Sequence, residues 1–443
     1  MHLGKKLPGL ILAMLLVVLA AGCATTNKEP ASPAEPSGNE GAAQTGGEQV
    51  TIEFVYWAGA GGEEKAFENL IAEFEAQNPD IKVNANLQPS GDDFHTRIQT
   101  RIAGNEAPDV FRLQYQRMGN YTSANALLDV TDLIAGQEGN FNPSLLRAVT
   151  SEGKYFGMPH HTDTLAVFYN KTYLDQLGIT PPVDLQDAWT WEEFLDAAKK
   201  IQDAGLAEYG IAFNWKAGSA YRSLPFLFQN NATLLTDDLS QGNLNTPEAV
   251  ESFAFLQRMF KDHMSPGNSM MGSDDFNLLF TTGRAGMLIN GNWMIPRYEQ
   301  EMKDYEWGVT YMPVQRSAAS DMGGNALAIP YNTKHPEAAK RFLAFAAEKE
   351  NMKKFVEQGL FIPARTDIDG DFNYTLENPE FMRFFIEQAG TVPPALADTV
   401  TMGKFASINR ALGDALEELF MLGKDPKDAA SALNEEINKI LKE

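Results

Sequence analysis

From residue 50 onward the chain alternates between two hydrophobic periods, and that alternation restricts its fold more than any other feature. Thr51-Ile52-Glu53-Phe54-Val55-Tyr56-Trp57 has the composition of a strand. Phe67, Leu70, Ile71 and Phe74 then recur at the spacing of one helix face, and Asn78-Pro79 stops the run. Ile81, Val83, Ala85 and Leu87 alternate as a second strand, Phe94, Ile98 and Ile102 mark another helix, and Pro108-Asp109-Val110-Phe111 opens a third strand. The pattern persists. Thr190 and Glu193 form a capping box before Phe194, Ala197, Ala198 and Ile201, and Thr246-Pro247 begins a further helix. Leu165–Tyr169, Ile211–Phe213, Met287–Ile289, Trp307–Val309 and Ala326–Ile329 read as strands. Strands alternating with helices predict an α/β architecture of mostly parallel sheets flanked by helices. The length allows two lobes.

The segment before this body has another composition. Lys5 and Lys6 precede an apolar run from Leu10 to Ala21. That run is shorter than the ~20 residues a membrane span needs and matches the core of a secretory signal. It ends in Leu19-Ala20-Ala21-Gly22-Cys23, which contains the chain's single cysteine and resembles the bacterial lipobox. The resemblance implies a signal peptide over residues 1–22, cut before Cys23, whose thiol takes a diacylglyceryl anchor. Residues 24–49 contain no Val, Ile, Leu, Met or aromatic residue, so they cannot bury enough surface to offset their ordering entropy. Residues 23–49 therefore read as an acylated cysteine and a flexible tether, with a root-mean-square span of roughly 25–30 Å.

Charge and motifs exclude several functions. The sequence has 36 basic and 59 acidic residues, a net charge of −23. Loss of Lys5 and Lys6 takes it to −25. Such a surface repels a phosphate backbone, so no nucleic-acid partner is expected. There is no Gly-x-Ser-x-Gly, His-Glu-x-x-His or Walker A motif. Gly59-Ala60-Gly61-Gly62-Glu63-Glu64 follows a strand as a dinucleotide loop would, but it lacks the third glycine and carries two acids where a pyrophosphate would sit. His160, His161 and Asp163 supply too few ligands in a usable pattern for a metal site. Asp367-x-Asp369-Gly370-Asp371-x-Asn373 has its glycine two positions early for a calcium loop, so a solvated turn is the reading there. Neither a metal nor a cofactor is expected, and the chain reads as a non-enzyme.

Several segments, taken in order, resemble the maltose-binding type of extracellular solute-binding protein of ABC importers. They include Phe54-Val55-Tyr56-Trp57, Ile102-Ala103-Gly104-Asn105-Glu106-Ala107-Pro108-Asp109-Val110, Gly153-Lys154-Tyr155-Phe156-Gly157-Met158-Pro159, Thr190-Trp191-Glu192-Glu193-Phe194, Gly283-Arg284-Ala285-Gly286-Met287 and Ile289-Asn290-Gly291-Asn292-Trp293. The resemblance implies the two-lobe periplasmic-binding-protein fold of type II. One lobe would hold residues 50–162 and 316–370, the other residues 163–315 and 371–443. Crossovers would lie near His161–Val167, Thr310–Gln315 and residue 370. It further implies a monomer that closes on a carbohydrate, is held by its lipid on the outer face of the cytoplasmic membrane, and delivers its cargo to the permease subunits.

A sugar offers apolar C–H faces and a ring of hydroxyls, so its cleft needs aromatic plates beside planar donors and acceptors. The positions matching the family's cleft are Trp57, Gln114, Tyr115, Asp163, Trp215, Tyr221, Trp293, Gly323, Gly324, Asn325 and Phe405. Trp57, at a strand end, also suits a core. Trp189, Trp191 and Trp307 read as scaffold, and Met259–Met271 as packing. Three alternatives stay open: a polyamine held by carboxylates and cation–π contacts, a surface glycoside hydrolase, and a sensor coupled to a membrane kinase. An anion or iron binder would need several grouped cleft Arg or Tyr residues, which the sequence does not show.

Overall fold

The structure, a computed structural model, describes residues 49–59, 62–368 and 371–443. Cys23, the signal segment and most of the tether lie outside the described residues, as do Ala60, Gly61, Asp369 and Gly370.

Two sheets organise the body. The first has six strands in the order Ile362–Pro363, Met158–Thr162, Asn325–Ala328, Val110–Gln114, Val50–Tyr56, Ile81–Leu87. Val50 pairs Ile81 and Phe54 pairs Val110 in parallel register, whereas Asn325–Ala328 runs antiparallel to both of its neighbours. The second sheet orders Trp307–Thr310, Leu165–Asn170, Ala285–Gly291 and Tyr209–Phe213, and only the last pairing is parallel. The sheets are thus mixed, where alternation alone implied mostly parallel pairing. In the first sheet the strand Asn325–Ala328, antiparallel to both neighbours, is the one the chain enters on its return from the second sheet.

Local chemistry accounts for the helices. Glu63–Gln77 buries Ala66, Phe67, Leu70, Ile71 and Phe74 against the first sheet's core. Glu63 and Glu64 in its first turn suit the positive end of the helix dipole. Trp191–Asp203 starts on the predicted capping box, with the Thr190 hydroxyl accepting from the Glu193 N–H and the Glu193 carboxylate accepting from the Thr190 N–H. Among the described residues no helix is long and apolar enough to cross a membrane.

Two crossings lie side by side between the sheets. Only Asp163 and Thr164 separate the strands Met158–Thr162 and Leu165–Asn170. The return runs through Ser320–Gly324, later than the expected Thr310–Gln315, because Arg316 N–H and Ser317 N–H still bond the Gln229 carbonyl beside the second sheet. The crossings are stitched together: Gly323 N–H donates to Asp163 O (3.1 Å), Thr162 Oγ1 to Gly323 O (3.0 Å), and Leu165 N–H to Asp321 Oδ1 (3.1 Å). Gly324 has φ +94°, and a Cβ there would lie 2.4 Å from the His161 carbonyl, so both the turn and the close approach require glycine. The C-terminal segment alternates sides. Met382–Ala389 packs on the second sheet, Pro394–Thr401 packs on the Pro143–Ala148 helix beside the first, and Phe405–Met421 returns to the second.

Candidate functional site

A cavity of about 380 Å³ opens between elements of the two sheets. The first sheet's side supplies Gln114, at the end of its Val110–Gln114 strand, and the ion pair Arg117–Asp92. The second sheet's side supplies Tyr221 and Arg222 from the turn Ala217–Ser223, with Phe405 and Asn409 from the first turns of the Phe405–Met421 helix. The Asn409 carboxamide accepts from the Tyr221 N–H (2.7 Å) and donates to Gly218 O (3.1 Å), which locks the turn to the helix. The Arg222 guanidinium stands 5.1 Å from the Trp293 ring and 5.7 Å from the Tyr221 ring. It donates to Asn214 O (3.2 Å), while its buried Nε has no partner among the described residues.

Beneath the crossings lies a buried polar floor. Arg112, 2% exposed, donates to Trp57 O (2.7 Å), faces His161 Nε2 (3.1 Å) and pairs with Glu63 Oε1 (2.5 Å). A guanidinium only donates, so His161 Nε2 must be the acceptor and its proton sits on Nδ1, facing His160 Nδ1 at 3.3 Å. The Asn325 amide donates to the same His161 nitrogen (3.1 Å). Burial, reinforced by Arg112, holds both imidazoles neutral: His161 falls well below its ordinary value and His160 falls to about 3. Above this floor the half-buried Asp163 carboxylate accepts no hydrogen bond from the described residues. Desolvation, aided by the neighbouring Asp321 carboxylate, pushes it up to about 7. Asp321 is 1% exposed and raised to about 6 by burial, and it is occupied by Thr164 and the Leu165 N–H.

Residues 60–353, more than half of the chain, match the family model described as bacterial extracellular solute-binding protein. The chain belongs to that family. Among its relatives, an arabinooligosaccharide-binding protein of Bacillus subtilis is 26% identical over 81% of this chain and 80% of that protein. A maltodextrin-binding protein of the same organism is 26% identical over 83% and 82%. Among solved structures, an ABC substrate-binding protein from Listeria monocytogenes in complex with cycloalternan superposes with a TM-score of 0.75 at 24% identity, covering 89% of this chain and 99% of that one. A maltose-bound protein of T. maritima gives 0.72 at 22%, with 89% and 99% covered. These last two show that the fold is shared.

Within this solute-binding protein the sequence-predicted positions separate into groups. Gln114, Tyr221 and Phe405 meet at the cavity. Asp163 and the half-buried Trp293 lie beside it, linked through Arg222. Trp293 folds over Gly291, where a Cβ would come within 1.8 Å of the ring. Five expected positions are corrected. Trp57 is 8% exposed and covers the Arg112 guanidinium at 4.4 Å, with Phe94 edge-on at 4.9 Å; it seals a buried charge instead of facing the cavity. Trp215 is fully buried between Phe213 and Phe420, its Nε1–H donating to Asn268 O (2.8 Å). Tyr115 is likewise fully buried, which raises its phenol above the ordinary value. Asn325, 5% exposed, spends its amide on His161, and Gly324 contributes a turn instead of a contact surface. In the methionine-rich stretch, Met259, Met264 and Met270 are buried as expected, but Met271 is 59% exposed and lines the cavity.

The residues that sequence reasoning missed are mostly arginines. Arg117, Arg222 and Arg410 all reach the cavity from distant parts of the chain, which corrects the expectation that no cleft arginines are grouped. Tyr221-Arg222 was the available signal: an aromatic followed by arginine in the loop after a strand.

Proposed function

We propose that this solute-binding protein captures an oligosaccharide in the cavity between its two sheets and hands it unchanged to an ABC permease. The observation that carries this reading is the lining. The ring of Tyr221 stands beside the planar polar arms of Gln114 and Arg222, drawn from both sides of the crossings and backed by the buried Phe405 and Asn409. The volume of about 380 Å³ falls within the roughly 300–1,000 Å³ of small-molecule sites. The relatives named for arabino-oligosaccharides and maltodextrins support the same cargo class.

In this reading each sheet with its helices is a lobe, and the lobes close by rotation about Thr162–Leu165 and Ser320–Gly324. The protein acts as a monomer without catalysis. Asp321, the carboxylate beside Asp163, is locked into the crossing by Thr164 and the Leu165 N–H, so it does not serve as the partner that a glycosidase pair needs. Arg117, Arg222 and Arg410 disfavour a polyamine. A lipid on Cys23 and the tether through residue 49 keep the body at the outer face of the cytoplasmic membrane.

A thermal-shift panel of mono- and oligosaccharides with polyamine controls tests the cargo. Saturation at 100 times Kd stabilises by about 2.7 kcal/mol, which is readily visible in a melt. Oligosaccharides should raise the melting temperature and polyamines should not; the reverse order would overturn the reading.

A further inference from the structure

The interlobe cavity does not end at the crossings. Two of its lining residues, Arg410 and Asp414, also line a second groove of about 410 Å³ between the helices Phe405–Met421 and Pro426–Lys442. The groove exists because Ala411, Ala415 and Ala432 leave the two helices without bulk along one stretch. Its far end is marked by the Lys424–Glu418 ion pair. From Asn409 to Glu418 the helix rises about 13 Å, which sets how far the groove prolongs the cavity.

The two junction residues are left free. Acid–base pairs four residues apart on a helix normally find each other, and in this chain Lys171–Asp175, Lys199–Asp203, Asp196–Lys200 and Arg297–Glu301 do so. Arg410 and Asp414 have the same spacing and are both exposed, yet among the described residues neither side chain makes a hydrogen bond or ion pair. An arginine fork and a carboxylate, offered side by side to the passage between two cavities, supply donors and acceptors for the hydroxyls of one chain running through both.

We propose that the helix groove is an extension of the binding site: one end of a linear oligosaccharide sits between the lobes, and its remaining units run past Arg410 and Asp414 along the Phe405–Met421 helix. This rests on the carbohydrate reading above and adds to it a ligand longer than the interlobe cavity holds.

Calorimetric titration of the full chain with malto- and arabino-oligosaccharides, from disaccharide to hexasaccharide, tests the extension. Ala432 is exposed at the groove's edge, so Ala432→Trp fills the groove without disturbing the core. Ser407→Trp, at an exposed position on the other helix that lines the groove and not the interlobe cavity, fills it independently. For the parent, Kd should tighten with length. Each variant should weaken the longest binding members about tenfold, the equivalent of one good polar contact, and leave the shortest unchanged. Equal Kd at all lengths in the parent, or variants that weaken every length alike or none, would overturn the extension while leaving the carbohydrate reading standing. If no member of either series binds the parent, both fail.

Discussion

Replacement of Trp215 by alanine should be a stability lesion, not a binding lesion. The indole is fully buried, stacked at 4.6 Å on Phe213 and 4.8 Å on Phe420, and its N–H holds the Asn268 carbonyl at 2.8 Å. Asn268 in turn brackets the Phe213 backbone through both ends of its carboxamide, each at 2.9 Å. Truncation therefore leaves a cavity among rings and loosens the clamp on a sheet strand. A buried aromatic truncation costs about 3–5 kcal/mol. A body of about 400 residues has an unfolding entropy near 0.8 kcal/mol per kelvin, so the melting temperature should fall by about 4–6 °C if the body unfolds as one unit. Trp215→Phe keeps a ring but loses the hydrogen bond, and should recover all but about 1–2 kcal/mol. Differential scanning calorimetry with and without a binding saccharide reads both quantities. Both variants should retain the saccharide-induced upward shift. A Trp215→Ala protein that melts like the parent but no longer responds to any saccharide would refute the packing argument and return this tryptophan to the site.

The buried pair Glu63–Arg112 gives a second test: Glu63→Gln leaves a guanidinium uncompensated at 2% exposure and should cost about 3–5 kcal/mol in denaturant titration. Asp163 makes stability fall with rising pH. Its folded-state value of about 7 lies above the ordinary 3.8, so between about pH 4 and pH 7 the folded state binds more protons than the unfolded one. Asp163→Asn should therefore gain stability over the parent progressively across that window, as followed by melting temperature against pH; a constant difference would contradict the placement. A methyl group at Gly323 would lie 1.9 Å from Asp163 Oδ1 and must displace that carboxylate, so Gly323→Ala should weaken saccharide affinity in calorimetry by more than it lowers the melting temperature.

Much of the scaffold was legible because its signals are local. The Phe67–Phe74 face and the Thr190–Glu193 capping box act over a few residues and need no knowledge of the fold. Sheet pairing was not legible in the same way. The antiparallel Asn325–Ala328 strand sits between Met158–Thr162 and Val110–Gln114, an arrangement that only the crossings determine. For the site, a tryptophan at a strand end reads alike whether it covers a ligand or a buried arginine. Trp57 and Trp215 were misplaced because their partners, Arg112 for one and Asn268 and Phe420 for the other, are remote in sequence. The same remoteness hid the convergence of Arg117, Arg222 and Arg410. Gln114, Tyr221 and Phe405 sit at positions with local signals: Gln114 ends a strand, Tyr221 lies in the turn that follows another, and Phe405 opens a helix.

The central claim is that a saccharide lodges reversibly among Gln114, Tyr221 and Arg222. Titration of the parent and of Arg222→Ala with the oligosaccharide series, followed by nuclear magnetic resonance of the recovered ligand, tests it directly. The expected result is one site per chain, loss of at least about tenfold in affinity for the variant, and a ligand returned intact. Affinity untouched by the variant, or a ligand returned cleaved, would contradict it.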